Sequence, residues 1–319
     1  MRDVHTDALL GLMDLPFIDR PAPTTLVWHY TTLDGLASIL QSHTFWIGSS
    51  TDMNDPLELT TGRNAINAAL LAADITATQR ARVEAYLERS REVADAAEVF
   101  ILSASTDGDS LSQWRAYASD GKGVAIGMPA GSRLDLLESF PFDATTDLQG
   151  AGDINQFVSP WRRVTYAPRK QARSAAGLIE LLATLADPSQ KDPSLSGYLF
   201  NDLLPLAYAP AAYAVVVSQL KASGYKDERE VRIVATATDT ARFHHQQDTP
   251  DGARRKVHLT GIPQATQVQR PTYSQSAAQP LPIAEIRVGP KAGADAVQAI
   301  LQGSSYSALQ ISRSTIQYR

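Results

Sequence analysis

The pattern of apolar and polar residues along the chain predicts short strands interleaved with helices. Residues 26–31 alternate with a period of two, which is typical of a strand, and His29 and Thr31 share one of its faces. A helical pattern follows at 33–40, where Thr31 or the next threonine can cap the helix. The stretch 63–97 contains no glycine or proline and predicts one or two helices.

The remaining pattern continues this mixture of elements. Further strands are predicted over 45–48, 99–103, 123–128, 228–237, 284–288 and 310–318, and further helices over 109–118, 172–222 and 294–301. Residues 238–282 are polar and predict strands joined by loops. Strands and helices do not alternate regularly, so we predict an α+β fold in one domain over residues 1–319. Helical insertions are expected near 62–98 and 171–222.

Composition narrows the possible chemistry. The chain has 319 residues, 44% hydrophobic content and a formal net charge of -5, which argues against nucleic-acid binding over a broad face but leaves room for a local basic groove. It has no cysteine, so disulfides, thiolate catalysis and cysteine-bound zinc are excluded. The six histidines form no familiar ligand spacing, and we predict no metal.

Targeting signals are weak in this sequence. The apolar run 8–13 is too short for the core of a signal peptide, and no stretch approaches the roughly 20 apolar residues of a membrane span. We therefore expect a cytoplasmic protein with no membrane partner, or an effector delivered into a target cell without a cleavable leader.

Two segments carry side chains that suit a ligand. The helix predicted over 109–118 carries Trp114, Arg115 and Tyr117, where arginine suits a phosphate and an aromatic ring suits stacking on a base or nicotinamide; core packing is the alternative. Asn54 and Asp55 stand before a proline, which is typical of a turn; alternatively, this loop places polar groups over a cleft to bind an acceptor.

The strongest candidate for catalysis lies on the strand predicted over 228–237. Glu228, Glu230 and Arg232 point to one face of such a strand. A fixed carboxylate can stabilise the positive charge that develops at an anomeric carbon during glycosyl transfer. One alternative is an exposed strand face with a Glu230–Arg232 pair of little energy. Another is a nuclease that binds Mg²⁺ with these glutamates and Asp227.

Several spaced blocks together resemble the bacterial domain of unknown function family 2971. The blocks are Trp28 to Leu40, Asn54-Asp55-Pro56 with Glu58, Asp109 to Tyr117 with Lys122-Gly123-Val124, Glu228 to Ile233, and Ile286 to Pro290. They span nearly the whole chain. The family name itself implies no activity.

A more distant resemblance implies an activity. His29-Tyr30-Thr31 is similar to the His-x-Thr opening of the DNA-targeting ADP-ribosyltransferase toxins. Ser103, the helix through Tyr117 and the strand at 123–128 are similar in order to elements of the poly(ADP-ribose) polymerases. These resemblances imply an ADP-ribosyltransferase-like fold of split mixed or antiparallel sheets.

The same resemblance assigns roles to individual residues. His29 would hold the adenine-side ribose of NAD, Tyr117 would stack on nicotinamide, and Glu230 would act on the nicotinamide ribose, with Glu228 as its competitor for that role. The other NAD-binding positions implied are Tyr30, Thr31, Ser103, Trp114, Arg115, Glu228 and Arg232, with Arg115 or Arg232 near the pyrophosphate. Tyr30 replaces the small glycine usual after the histidine, which narrows the cleft.

These observations lead to one expected function and two alternatives. The first is an NAD-consuming ADP-ribosyltransferase, suited to a toxin or a defence effector, whose acceptor is a protein, a nucleic acid or a small molecule. Water as the acceptor would make it an NAD glycohydrolase. The alternatives are a non-catalytic module that binds a nucleotide or a protein, and the metal-dependent nuclease described above.

Overall fold

The α+β prediction is confirmed by the computed structural model of the chain. The structure describes residues 15–52, 59–96, 99–139, 156–186, 204–237, 240–249, 252–263 and 274–318. Within these ranges the strands are β1 (Leu26–Thr31), β2 (Thr44–Ser49), β3 (Val99–Ser105), β4 (Val124–Pro129), β5 (Asp135–Leu137), β6 (Gln156–Val158), β7 (Arg162–Arg163), β8 (Glu230–Ala237), β9 (His245–Thr249), β10 (Gly252–Thr260), β11 (Ser274–Gln275), β12 (Glu285–Val288) and β13 (Gln310–Arg313).

The described helices are α1 (Leu33–Ser42), α2 (Thr60–Ala72), α3 (Ala77–Asp95), α4 (Leu111–Tyr117), α5 (Pro168–Ala186), α6 (Leu204–Gln219), a short α7 (Thr240–Phe243) and α8 (Ala294–Gln302). All of them except the short α7 lie where helical patterns predicted them; α7 falls in the stretch 238–282, which was predicted to hold only strands and loops. Thr32, not Thr31, caps α1, since its hydroxyl accepts a hydrogen bond from the Gly35 amide at 2.9 Å. No helix in the described part of the chain is long and apolar enough to cross a membrane.

The described strands form one mixed sheet. Its order is β11-β5-β10-β2-β3-β1-β4-β12-β13, while β8 pairs with β3, β6 and β7 pair with β8, and β9 pairs with β10. β5 and β11 are parallel, as are β12 and β13, and the other named pairs are antiparallel. The sheet places β1, β2, β3 and β8 side by side at its centre.

The two predicted helical insertions pack together rather than separately. Residues of α2 and α3 share a buried apolar cluster with residues of α5 and α6, and this cluster reaches Val99 and Val234 on the sheet. A second cluster fills the space between α1, α8 and the central strands. The first cluster therefore packs against one face of β3 and β8, and the second packs against the other face.

Two predicted strands are shorter than expected. The strand predicted over 228–237 begins only at Glu230, because Arg229 adopts a left-handed backbone with φ of 46° and ends a 3-10 helix over Ser223–Glu228. The strand predicted over 310–318 ends at Arg313, because Ser314 and Thr315 turn to bind Asp109. Both corrections arise from contacts distant in sequence.

Candidate functional site

A cleft opens where β3 changes partners along one of its edges. β2 pairs with the start of β3, with Gly48 opposite Ile101. β1 pairs with its end, with Trp28 opposite Ser105. Residues 102–104 lie between these two contacts, so β1 and β2 diverge around them. The cleft has a volume of about 490 Å³, within the usual range for small-molecule sites.

Five parts of the chain line this cleft. The lining residues are Trp28, His29 and Tyr30 from β1, Trp46, Ile47 and Gly48 from β2, Ile101, Leu102, Ser103 and Ala104 from β3, Gln113 and Tyr117 from α4, and Lys221, Tyr225, Glu228, Glu230 and Arg232 from the segment that ends in β8. The structure thus brings His29, Ser103, Tyr117 and Glu230 to one cleft.

His29 bridges the gap between β1 and β3. Its Nδ1 lies 3.0 Å from the carbonyl oxygen of Ser103, and because a carbonyl can only accept, Nδ1 carries the proton. Burial lowers the pKa of His29, against a smaller opposing effect of that hydrogen bond, so the ring is neutral at pH 7. The neutral ring offers Nε2 as a hydrogen-bond acceptor to a ligand hydroxyl.

Glu230 is a buried carboxylate held by two cations. Arg232 donates from Nε to Oε1 at 2.7 Å and from Nη2 to Oε2 at 2.9 Å, and Lys221 donates from Nζ to Oε2 at 3.1 Å. Burial alone would raise the pKa of Glu230, but Arg232 and then Lys221 outweigh it and hold the pKa at about 2. The carboxylate is therefore ionised at physiological pH.

Glu230 retains capacity for a ligand despite these partners. A carboxylate has about four acceptor positions, and the three hydrogen bonds from Arg232 and Lys221 leave one on Oε1. The hydroxyl of Ser103 lies close enough to lower the pKa of Glu230, yet its oxygen is buried and makes no hydrogen bond of normal geometry. Ser103 therefore lies next to Glu230, and the remaining acceptor position of the carboxylate is the one that a ligand in the cleft can use.

Arg232 serves Glu230 rather than the open cleft. Its side chain is only 1% exposed, and it also donates from Nη1 to the carbonyl oxygen of Ser218 at 2.5 Å. The alternative of an exposed strand face is therefore wrong, because Glu230 and Arg232 are both buried. Arg232 lines the cleft, but its guanidinium is fixed behind the carboxylate.

Lys221 connects Glu230 to a second carboxylate. Its Nζ donates to Glu228 Oε2 at 2.8 Å and lies 4.6 Å from the centre of the Tyr225 ring. Burial raises the pKa of Glu228, although Lys221 opposes the shift. Two neighbouring carboxylates with opposite pKa shifts are typical of sites where one acid stays charged and the other exchanges a proton.

The helix α4 carries two cleft residues one turn apart. Gln113 is buried and Tyr117 is 48% exposed, and both side chains line the cleft. The first turn of α4 is anchored by Asp109, which accepts hydrogen bonds from Trp114 Nε1 at 2.9 Å and from the Thr315 amide at 2.7 Å. The C-terminal segment thus fixes the helix that presents Tyr117.

Exposed aromatic rings surround the cleft. Trp46 from β2, Tyr117 from α4 and Tyr225 from the 3-10 helix are 53%, 48% and 41% exposed, and all three line it. Exposed aromatic rings grouped around one cleft give a planar ligand faces on which to stack. This rim suits a base or a nicotinamide ring.

Several predicted site residues lie elsewhere. Trp114 is fully buried against Tyr30, with 4.7 Å between ring centroids, and so belongs to the core. Thr31 and the exposed Arg115 are not among the residues that line the cleft. Tyr30 does line it, with its hydroxyl fixed by the Asp107 carbonyl at 2.8 Å. Asn54 and Asp55 lie outside the described residues.

The lining residues that were not predicted from the sequence include Trp46, Gln113, Lys221 and Tyr225. Trp46 lies within a short predicted strand, and the local pattern does not show which face of that strand is exposed. Gln113 lies on a predicted helix, and its sequence neighbours Trp114, Arg115 and Tyr117 carry the stronger ligand-binding signal. Lys221 follows an apolar helix with no local signal, because its role depends on contacts with Glu228 and Glu230, and Tyr225 lies against Lys221.

The described residues contain no group of three or more His, Asp or Glu side chains placed to hold a metal ion. Glu228 and Glu230, two of the acids considered for a nuclease, are instead paired with Lys221 and Arg232. Lys221 and Arg232 bind the carboxylate oxygens that a metal ion would need as ligands.

Comparison with known proteins yields one match. Residues 113–233 match the model of a family described as a protein of unknown function, DUF2971. Neither the curated proteins nor the solved structures include a match to this chain. The matched stretch contains Gln113, Tyr117, Lys221, Tyr225, Glu228, Glu230 and Arg232, and so carries one wall of the cleft. The resemblance to this family of unknown function is therefore supported over residues 113–233.

Proposed function

We propose that the protein is an NAD-consuming ADP-ribosyltransferase that cleaves the bond between nicotinamide and ribose in this cleft. The observation that carries the proposal is the convergence of His29, Tyr117 and Glu230 on one cleft between diverging strands. The divergence of β1 from β2 along one edge of β3 also supports the split sheet that the resemblance to ADP-ribosyltransferases implies.

Glu230 supplies the electrostatic part of the reaction. When the glycosidic bond of NAD breaks, its electron pair leaves with the nicotinamide nitrogen and positive charge develops on the ribose. A carboxylate that is ionised and held rigidly by Arg232 and Lys221 stabilises that charge without reorganising. An acceptor nucleophile then bonds to the anomeric carbon and loses its proton; water as the acceptor gives the glycohydrolase reaction.

Other cleft residues position the dinucleotide. The neutral His29 accepts a hydrogen bond from a ribose hydroxyl through Nε2, and Tyr117 provides a ring face for nicotinamide. The Gln113 amide, which lines the cleft, provides a polar contact for the carboxamide or a hydroxyl. Each role uses a group that faces the cleft.

The test measures nicotinamide release from NAD by the purified protein and by Glu230→Gln, with and without cell lysate as an acceptor source. We expect release to fall about 100-fold or more in the variant, the usual effect of removing one group that stabilises developing charge. Dependence on lysate identifies a transferase, and release without lysate identifies a glycohydrolase.

The chain offers a matched control for this substitution. Glu285 on β12 pairs with Arg287 two residues later, at 3.1 Å, as Glu230 pairs with Arg232 on β8, but it does not line the cleft. Glu285→Gln should keep full release. Equal loss in both variants would trace the effect to folding and contradict a role for Glu230 in the reaction.

A second candidate is a non-catalytic module that binds a nucleotide. The observation that favours it is the double pairing of Glu230 with Arg232 and Lys221, which is also a way to keep a buried charge inert. This candidate predicts that NAD binds to the wild-type protein in calorimetry while no nicotinamide is released under any condition.

A further inference from the structure

Three aromatic rings are stacked across neighbouring strands beside the cleft. Trp46 on β2 lies directly opposite His258 on β10, with 4.6 Å between ring centroids and 18° between the planes. His258 stacks in turn on His245 of β9, at 3.9 Å and 7°. These three residues form an aromatic ladder, and Trp46, at the end of the ladder nearest the centre of the sheet, is more than half exposed.

Cations accompany the ladder on the same face of the sheet. Lys256 lies opposite His245, and its Nζ is 5.8 Å from the centre of the Trp46 ring. Arg254 stands two residues earlier on β10, opposite Gln247, and therefore on the same face. The described positions on this face of β2, β9 and β10 include no carboxylate.

The titration of these groups agrees with a locally positive surface. Burial, then His245 and Lys256, lowers the pKa of His258 to about 4. Burial and then Arg254 lower the pKa of Lys256. At pH 7 the ladder is therefore a stack of neutral rings, with the positive charge on the lysine and the arginine beside it.

We propose that this face binds single-stranded nucleic acid, with a base stacked on Trp46 and backbone phosphates against Lys256 and Arg254. Every base has a planar face for an aromatic ring, and cations beside the ring attract the phosphates. A duplex hides its base faces, so a single strand fits the ladder and a duplex does not. The formal charge of -5 on the whole chain restricts such binding to this local patch.

This surface meets the cleft at Trp46, which belongs to both. A nucleotide stacked there lies at the cleft, which Tyr225 and Tyr117 also line. The inference does not depend on NAD chemistry, because binding is defined by the ladder and its cations alone.

The test is fluorescence anisotropy with labelled single strands of about 12 nucleotides, oligo-dT and oligo-U, and a duplex of similar length, at about 50 mM salt. We expect both single strands to bind and the duplex to bind at least about tenfold more weakly. Trp46→Ala should weaken single-strand binding at least about tenfold, and Lys256→Gln should lower the salt dependence by about one phosphate contact.

The control variants are Leu71→Ala and Arg89→Gln, which alter an exposed apolar side chain on α2 and an exposed cation on α3. Both should leave binding unchanged. Absence of single-strand binding, equal binding by the duplex, or unchanged affinity in Trp46→Ala would each overturn the proposal. The assay contains no NAD, so its outcome and that of the nicotinamide-release test are independent.

Discussion

The pKa values of two buried carboxyl groups in the same sheet are shifted in opposite directions. Glu230 in the cleft has its pKa held at about 2, whereas burial raises the pKa of Asp135 on β5 to about 6. Glu230 receives hydrogen bonds from two cations, while Asp135 receives one from the neutral Gln275 at 2.8 Å, and its Oδ1 is buried without a partner. The hydrogen-bond partners of each carboxyl group, rather than its burial, therefore determine which one stays ionised.

Keeping Glu230 ionised in the interior requires the fold to bury charged groups. Two cations are brought into the protein interior at Glu230, although apolar residues often stabilise a core as well as a buried ion network does. At Asp135 the fold accepts an acid that is easily protonated. A maintained charge beside an open cleft is what a reaction that develops positive charge needs.

The largest effect is expected from removing the main partner of Glu230. Arg232→Met should lower the free energy of unfolding by about 3–5 kcal/mol at pH 7, because a buried carboxylate then keeps only Lys221. The matched control is Arg229→Met, since Arg229 is 65% exposed in its pair with Asp107 and should contribute about 1 kcal/mol or less. Urea unfolding measures both. Similar small losses in the two variants would show that Glu230 does not depend on Arg232.

An opposite sign is expected at Asp135. Its folded-state pKa of about 6 lies above the ordinary value of 3.8, so the native state loses stability as pH rises from about 4 to 6 and stays weakened above that range. Asp135→Asn should therefore raise the free energy of unfolding at pH 8 by about 1–3 kcal/mol, with the gain vanishing below pH 4. Urea unfolding at several pH values checks this, and a gain independent of pH would contradict it.

The smallest effect tests a third carboxylate, held by neutral donors. Although partial burial opposes it, hydrogen bonds from Ser314, Thr315 and Trp114 lower the pKa of Asp109. The double variant Ser314→Ala with Thr315→Ala should cost about 1 kcal/mol at pH 7. The loss should shrink as pH falls through the lowered pKa of Asp109, because a protonated Asp109 no longer needs these donors. Thermal unfolding at pH 7 and pH 3 measures the difference, and an equal loss at both would assign it to packing.

Local patterns were enough to predict most of the fold. The bounds of β1 match the prediction, and β4, β12 and α8 match within one residue, because period and residue type act within a short stretch. The start of β8 was misplaced by two residues, since the left-handed Arg229 depends on its surroundings. The ends of strands and helices that depend on contacts distant in sequence cannot be predicted from the local pattern.

The site was only partly predictable for the same reason. Glu230 and His29 stood out because strand alternation places each next to other polar residues. Trp114 and Tyr117 stand three apart on one short helix, and only the packing of Trp114 against Tyr30 decides which ring is buried. The role of Lys221 depends on tertiary contacts that no local pattern contains.

The floor and the rim of the cleft differ in how well they tolerate substitution. The floor of the cleft lies on β3 and β8, which are tied to their neighbours through the sheet, so substitution there disturbs the fold. Trp46, Tyr117 and Tyr225 come from three different elements and are exposed, so a substitution at any one of them should disturb the fold less. Substitutions at the rim can therefore change which ligand fits while Glu230, Arg232 and Lys221 beneath it stay in place.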